Sequence, residues 1–199
     1  LHKLFTELEF KTLLKSAETK KTPAISSNGS ASKDNYRAIL SKKDLDDLIK
    51  ELKKAKVLAF DTETDSLDFT QANLVGLSVA TDEDNAYYIP VGHDYEGAPK
   101  QLDRDEVLKK LKPIIEKTPL IGQHLKFDRN VLANHDISLN VIENDTMLMS
   151  YVYDPTATRH NLDAMASHYL NVKTTTFEDV AGKGVKQLTF NQIPLEKAS

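Results

Sequence analysis

The stretch VLAFDTETDSLDF, residues 57–69, runs an apolar segment directly into four carboxylates: Asp61, Glu63, Asp65 and Asp68. Side chains alternate along a strand, so Asp61 and Glu63 leave one face together while Thr62 and Thr64 leave the other. The four residues before Asp61 are apolar and expected to be buried, which places the acid pair where a sheet core meets solvent. Two like charges that close raise each other's pKa, and a hard divalent cation would relieve the repulsion. The plainer reading is a strand end and a hydrated turn at Asp65 and Ser66. For an isolated Asp-x-Glu that reading prevails, because acidic strand ends are common. A second acidic element is needed to overturn it.

Outward from this stretch, NLVGLSVAT and NAYYIPV are two more β-rich runs set off by turn-prone Asp, Ser and Asn clusters, and the three together predict an antiparallel meander. Upstream, YRAIL from Tyr36 reads as an edge strand. Ser41 then caps a helix with Asp44 at its third position, and Leu45, Leu48, Ile49, Leu52 and Ala55 form its buried face. Downstream, the pattern predicts a helix over 103–116 with Pro113 kinking or shortening its last turn. A buried run, PLIGQ, follows, then helices over 126–133, 146–153 and 162–169 and a short turn near Phe177. Antiparallel strands first, then helices alternating with at least one further strand, predict an α/β chain with a mixed sheet and helices on its faces. Before Tyr36, residues 1–17 read as a short amphipathic helix, and 18–35, poor in large apolar residues, as a flexible linker.

The 199 residues are 40% hydrophobic, enough for a substantial core. The absence of cysteine excludes disulfides and thiolate zinc sites, so any metal must sit on oxygens and imidazoles, and hard cations are favoured. A formal net charge of −4 argues against a nonspecific nucleic-acid grip, which depends on Lys and Arg neutralising phosphates. It does not exclude a nucleic-acid enzyme, since divalent ions in an acidic site bring the positive charge that phosphate needs. No apolar run approaches bilayer length and LHKLFTELEF lacks a signal peptide's apolar core, so a cytoplasmic protein without membrane contact is expected.

GQHLKFDRNVL, residues 122–132, supplies the second acidic element. Gly122 permits close backbone approach at the end of the PLIGQ strand, and Asp128 falls in the first turn of the next helix, where the macrodipole favours negative charge. Taken alone, Asp128 reads as a complement to that dipole.

Together, DTETDSLD and GQHLKFDRNVL resemble the first two exonuclease motifs in the proofreading domain of family A DNA polymerases, the bacterial DNA polymerase I type. The likeness continues through NLVGLSVA, YYIPVGHDY, NDTMLMSYVYDP, RHNLDAMA, TFEDVAGKG and LTFNQI and covers 36–199. Residues 1–17 are similar to the tail of a preceding 5′ nuclease domain.

This resemblance implies a ribonuclease H-like fold, a mixed sheet flanked by helices, that removes a mismatched 3′ nucleotide by two-metal hydrolysis. It implies Asp61, Glu63 and Asp128 as the catalytic, metal-binding carboxylates for two divalent cations, Mg²⁺ or Mn²⁺, with Asp61 bridging. Substrate contacts carry over to Thr64, Leu67 as an apolar wedge, Gln123, His124, Arg159 and Phe177. The implied partners are DNA, as a single-stranded 3′ end or primer-template, and the polymerase and 5′ nuclease domains of one parent chain, monomeric in a bacterial cytoplasm. On the residues alone, Leu67 and Phe177 read as core and Arg159 as a surface charge. Asp145 in NDTM reads as a helix cap rather than a ligand.

Two features depart from the family pattern. His124 stands where the family usually has Asn; an imidazole there could contact the terminal nucleotide or, less favoured, sit near a metal. The third motif, Tyr-x-x-x-Asp or a His-based equivalent, is not found: no Tyr has Asp four residues on, and no His has Asp five residues on. A helix from Pro194 to Ser199 has little more than one turn. The expectation is a fragment cut before its last metal ligand, with reduced activity. Two other functions fit the residues: a vestigial exonuclease-like scaffold, disfavoured by the three retained acids, and a ribonuclease D-like RNA exonuclease.

Overall fold

The computed structural model describes residues 36–198; the helix and linker expected over 1–17 and 18–35 lie outside the described residues. Six strands form one sheet: β1 (Tyr36–Ala38), β2 (Leu58–Thr64), β3 (Leu74–Ala80), β4 (Ala86–Pro90), β5 (Leu120–Gly122) and β6 (Ile142–Asp145). Their order is β1-β4-β3-β2-β5-β6. The predicted meander is present, since β2 pairs antiparallel with β3 and β3 with β4. β1 lies parallel to β4 at one edge, and β5 and β6 extend the other side of β2 in parallel. This antiparallel half joined to a parallel half is the ribonuclease H-like order.

The longer helices are α1 (Lys42–Leu52), α2 (Arg104–Ile115), α3 (Leu125–Ala133) and α4 (Thr146–Tyr153). Shorter turns of α-helix follow as α5 (Leu162–Met165), α6 (Phe177–Ala181) and α7 (Leu195–Ala198). α1 starts where the Ser41 hydroxyl oxygen accepts the Asp44 N–H at 3.1 Å, and it buries Leu45, Leu48, Ile49 and Leu52. Asp103 caps α2 in the same way, and α2 continues two residues past Pro113, because a proline in the last turn forfeits a single helical bond. The helix expected over 162–169 is α-helical only through Met165; residues 166–170 widen into a π-type turn closed by Asn171 at φ 55°.

The core is the apolar face of the meander packed against these helices. Leu58 and Phe60 of β2, Leu74 and Leu77 of β3 and Ile89 of β4 share one buried cluster with the inner faces of α1, α2 and α3. Gly122 ends β5 where a Cβ would stand 2.7 Å from the Phe60 carbonyl oxygen and 2.6 Å from a Leu125 methyl carbon. That approach brings the start of α3 against β2. Among the described residues, no helix is long and apolar enough to cross a membrane.

Candidate active site

β2 shows the alternation its sequence requires. Leu58, Phe60 and Thr62 are buried, while Ala59, Asp61 and Glu63 keep part of their surface open. Beyond Ala59 the partner strand β5 peels away into α3, so β2 loses its hydrogen-bonding neighbour on that side. Asp128 takes the vacated place: its Oδ1 accepts the Thr62 N–H at 2.8 Å and the Thr62 hydroxyl at 2.7 Å. Asp128 is 2% exposed, and its carboxylate adjoins the residue that separates Asp61 from Glu63. Three carboxylates from two separate segments therefore meet at the end of β2, where the register slips between Glu63 and Thr64.

The electrostatics are those of negative charge held out of water. Burial first, and the Asp128 charge second, push the Asp61 carboxyl up to about 7. Burial, the Asp61 charge and a hydrogen bond to Asp61 push Glu63 up to about 8, and the two titrate as a pair around a shared proton. Asp128 is also raised by burial, against the opposing effect of its two bonds from Thr62. Among the described residues no three acidic or imidazole groups enclose an ion as they stand. The hydrogen bond between Asp61 and Glu63 would open for an ion to enter. The donor set nonetheless fits a hard divalent cation: oxygens only, buried, mutually repelling, and short of positive charge.

A test of this electrostatic account follows from linkage. Raised folded-state pKa values mean that the folded chain keeps protons the unfolded chain has released, so the stabilisation is complete below about pH 4 and is lost as pH rises through about 8. Buried His93 and half-buried His135, whose pKa values are lowered, act in the opposite sense, but only below about pH 6.5. In EDTA the melting temperature should therefore fall between pH 6.5 and 8.5 by roughly 2–8 °C, equivalent to about 1–2 kcal/mol. Mg²⁺ should restore it more at pH 8.5 than at 6.5. A melting temperature flat across that range would contradict the raised values.

The other expected site residues fall into three groups. Leu67 is 93% exposed and Phe177 half-exposed, so the reading of both as core is incorrect: the 65–68 turn lifts Leu67 off the sheet, and the Phe177 ring stacks on Phe190 at 6.5 Å and 12°. His124 and Arg159 are exposed and line a cleft of about 490 Å³ together with Gln123, Tyr151 and His160. Gln123 and Thr64 are already engaged within the protein. The Gln123 amide donates to the His160 carbonyl at 2.9 Å and accepts from the Thr146 hydroxyl at 2.5 Å, and the Thr64 hydroxyl donates to the Ser66 carbonyl.

Asp145 is a cap, as its position suggests, and it serves two helices. Its Oδ1 accepts the N–H groups of Met147 (3.0 Å) and Leu148 (3.2 Å) in α4 and of His124 (3.2 Å); its Oδ2 accepts that of Leu125 (2.8 Å) in α3. The second helix could not be read from sequence, because Asp145 and Leu125 lie twenty residues apart. Asp65 and Asp68 are turn acids. Asp65 accepts from the Asn73 N–H and side-chain amide, and Asp68 from the Thr70 N–H and hydroxyl.

His124 occupies the left-handed region, φ 60° and ψ 40°, immediately before α3. Asn, Asp and His tolerate that region better than other side chains, whereas a β-branched residue does not. His124→Asn should therefore change stability by less than about 0.5 kcal/mol, while His124→Val should cost about 1–3 kcal/mol in a denaturant melt.

With this geometry in hand, comparison with known proteins is direct. A family model described as 3′-5′ exonuclease matches residues 36–198. The chain belongs to this 3′-5′ exonuclease family. The chain is 47% identical over 204 residues to Pseudomonas aeruginosa DNA polymerase I, covering 98% of this chain and 22% of that one. It is 38% identical over 168 residues to Borreliella burgdorferi DNA polymerase I, covering 82% and 17%. The chain thus spans about a fifth of the length of the curated relatives it matches. Among solved structures, the catalytic core of RRP6 from Trypanosoma brucei superposes with a TM-score of 0.55 over 73% of this chain and 38% of that chain. At 14% identity this is a likeness of fold.

Proposed function

We propose that this domain is the proofreading 3′→5′ exonuclease of a bacterial DNA polymerase I, hydrolysing the 3′-terminal phosphodiester of a single-stranded DNA end with two divalent cations, Mg²⁺ or Mn²⁺. The observation that carries the proposal is the meeting of Asp61, Glu63 and Asp128, each with a raised pKa, at the end of β2. In such a site the cations would activate a water, hold the scissile phosphate and stabilise the leaving 3′ oxygen. Exonucleases of this family are generally dependent on divalent metals.

The protein's own groups have separable tasks. Asp61, Glu63 and Asp128 would hold the cations; because ligands must be deprotonated, the proton shared by Asp61 and Glu63 would have to be given up, and affinity would rise with pH. Thr62 fixes Asp128 through two hydrogen bonds, which orients that carboxylate before any ion is present. Leu67 and Phe177 offer exposed apolar surface to bases, a sequence-tolerant mode of holding a single strand. Arg159 and His124 sit in the adjoining cleft, where a cationic or hydrogen-bonding group meets the phosphate backbone. The remaining partners, the polymerase and 5′ nuclease domains of one monomeric parent chain in the bacterial cytoplasm, are part of the same proposal.

The test is degradation of a 5′-labelled single-stranded oligonucleotide by a full-length polymerase carrying this domain. A ladder shortening from the 3′ end with Mg²⁺, abolished by EDTA and faster on DNA than on the RNA of the same sequence, is expected. Preference for RNA would favour the ribonuclease D-like alternative.

A further inference from the structure

Two buried polar side chains have no part in the function just proposed, yet one lies beside its carboxylates and the other holds the first. Tyr88 pairs with Ser78, which pairs with Asp61, so Tyr88 projects from the same sheet face as Asp61 and Glu63. Its ring runs along that face over Gly76, the residue directly opposite Glu63, and a Cβ at Gly76 would stand only 2.1 Å from the Tyr88 hydroxyl oxygen. The hydroxyl is therefore beside Glu63. In agreement, burial first and the Glu63 charge second hold the Tyr88 pKa above its ordinary value.

The direction of the Tyr88 hydrogen bond follows from His93, which is also buried. His93 Nδ1 lies 3.0 Å from the Ile193 carbonyl oxygen, which can only accept, so Nδ1 carries the ring proton and donates it. Burial lowers the His93 pKa, so the ring is neutral and Nε2 is left as an acceptor. The Tyr88 hydroxyl, 2.6 Å away, donates to it. The segment that supplies the Ile193 carbonyl is itself anchored. The Asp94 N–H donates to the Asn191 carbonyl at 3.0 Å, the Asn191 amide donates to Asp94 Oδ1 at 2.8 Å, and the Phe190 ring packs 6.4 Å from Tyr88 and 5.9 Å from His93.

We infer that Tyr88 and His93 are positioning residues for Glu63: two consecutive hydrogen bonds, ending on the Ile193 carbonyl, fix the hydroxyl that confines this carboxylate. Their importance for metal binding rests on the proposed function, in which Glu63 is a ligand. The confinement of Glu63 does not.

The experiment follows the side-chain carboxyl ¹³C signal of Glu63 in the metal-free chain. His93→Phe keeps an aromatic ring but loses both hydrogen bonds and does not touch Glu63. It should move the Glu63 signal in the same direction as Tyr88→Phe, and the double variant should move it no further than the larger single change. His93→Gln, whose amide can donate to Ile193 and accept from Tyr88, should return the signal toward its original position. Ile89→Val, a buried change on the opposite face of the same strand, should leave it in place. Mg²⁺ titrated against this signal should bind about tenfold more weakly in His93→Phe and Tyr88→Phe, the usual consequence of removing a group that orients a ligand. If His93→Phe does not fold, Tyr88→Phe and His93→Gln decide the question. A Glu63 signal indifferent to the relay substitutions, or shifted equally by Ile89→Val, overturns the inference. A signal that Mg²⁺ leaves unmoved in the unsubstituted chain counts against the metal site alone, and the metal-free shifts still decide the relay.

Discussion

An Asp61→Asn variant is expected to lose 3′-end hydrolysis by more than about 100-fold, beyond the loss that follows removal of a group merely orienting a metal ligand. In the same variant, the metal-free domain at pH 8 should melt at a higher temperature than the unsubstituted protein. Both effects have one cause. Asp61 is a largely but not wholly buried carboxylate beside Glu63 and Asp128, and its pKa is raised because burial and the neighbouring charge penalise ionisation. Asn has the same shape, carries no charge and keeps an oxygen that can accept from protonated Glu63, so it removes the repulsion while withdrawing a metal ligand. Hydrolysis by the full-length polymerase and a thermal melt in EDTA read the two quantities separately. A vestigial scaffold would show the gain in stability with no hydrolysis to lose, and a loss of both would mean that Asp61 supports the fold.

The second large effect belongs to Asp145. Its carboxylate receives four backbone N–H groups from the first turns of α3 and α4, so Asp145→Ala uncaps two helices at once. At about 1 kcal/mol or more per cap, the expected cost is about 2–4 kcal/mol, or a fall of roughly 4–16 °C in melting temperature. Asp145→Asn should cost about half as much. Its single acceptor oxygen serves either the three donors at Oδ1 or the Leu125 N–H, while its amide opposes the other set. Because α3 carries Asp128, Asp145→Ala should also weaken Mg²⁺ binding. An Asp145→Ala variant within about 0.5 kcal/mol of the unsubstituted protein would show that water replaces both caps.

What could be read from the sequence is what local chemistry determines. The alternation in β2, the Ser41 cap and the close approach at Gly122 are decided by residues within a few positions of one another. β6 carries no such local signal, because Glu143 and Asn144 are exposed and polar, Ile142 is exposed and Asp145 is a buried acid, and its place beside β5 rests on parallel pairing of residues more than twenty positions apart. The pairing of Asp128 with Thr62 and of His93 with Ile193 spans 66 and 100 positions and leaves no periodic trace. Leu67 and Phe177 show the opposite failure. Apolar side chains suggest burial, and only the fold shows that a turn and a stacked ring pair leave them in solvent.

The acids of the 65–68 turn, set aside as ligands, have their own consequence. Asp65 fastens Asn73 twice and Asp68 fastens Thr70 twice, so the loop that raises Leu67 is stiffened at both ends. A greasy fingertip on a rigid knuckle sacrifices little freedom when something settles against it, so its grip is determined almost wholly by contact area. Loosening the knuckle, rather than trimming the fingertip, would then appear as an entropic penalty on association with the leucine itself untouched.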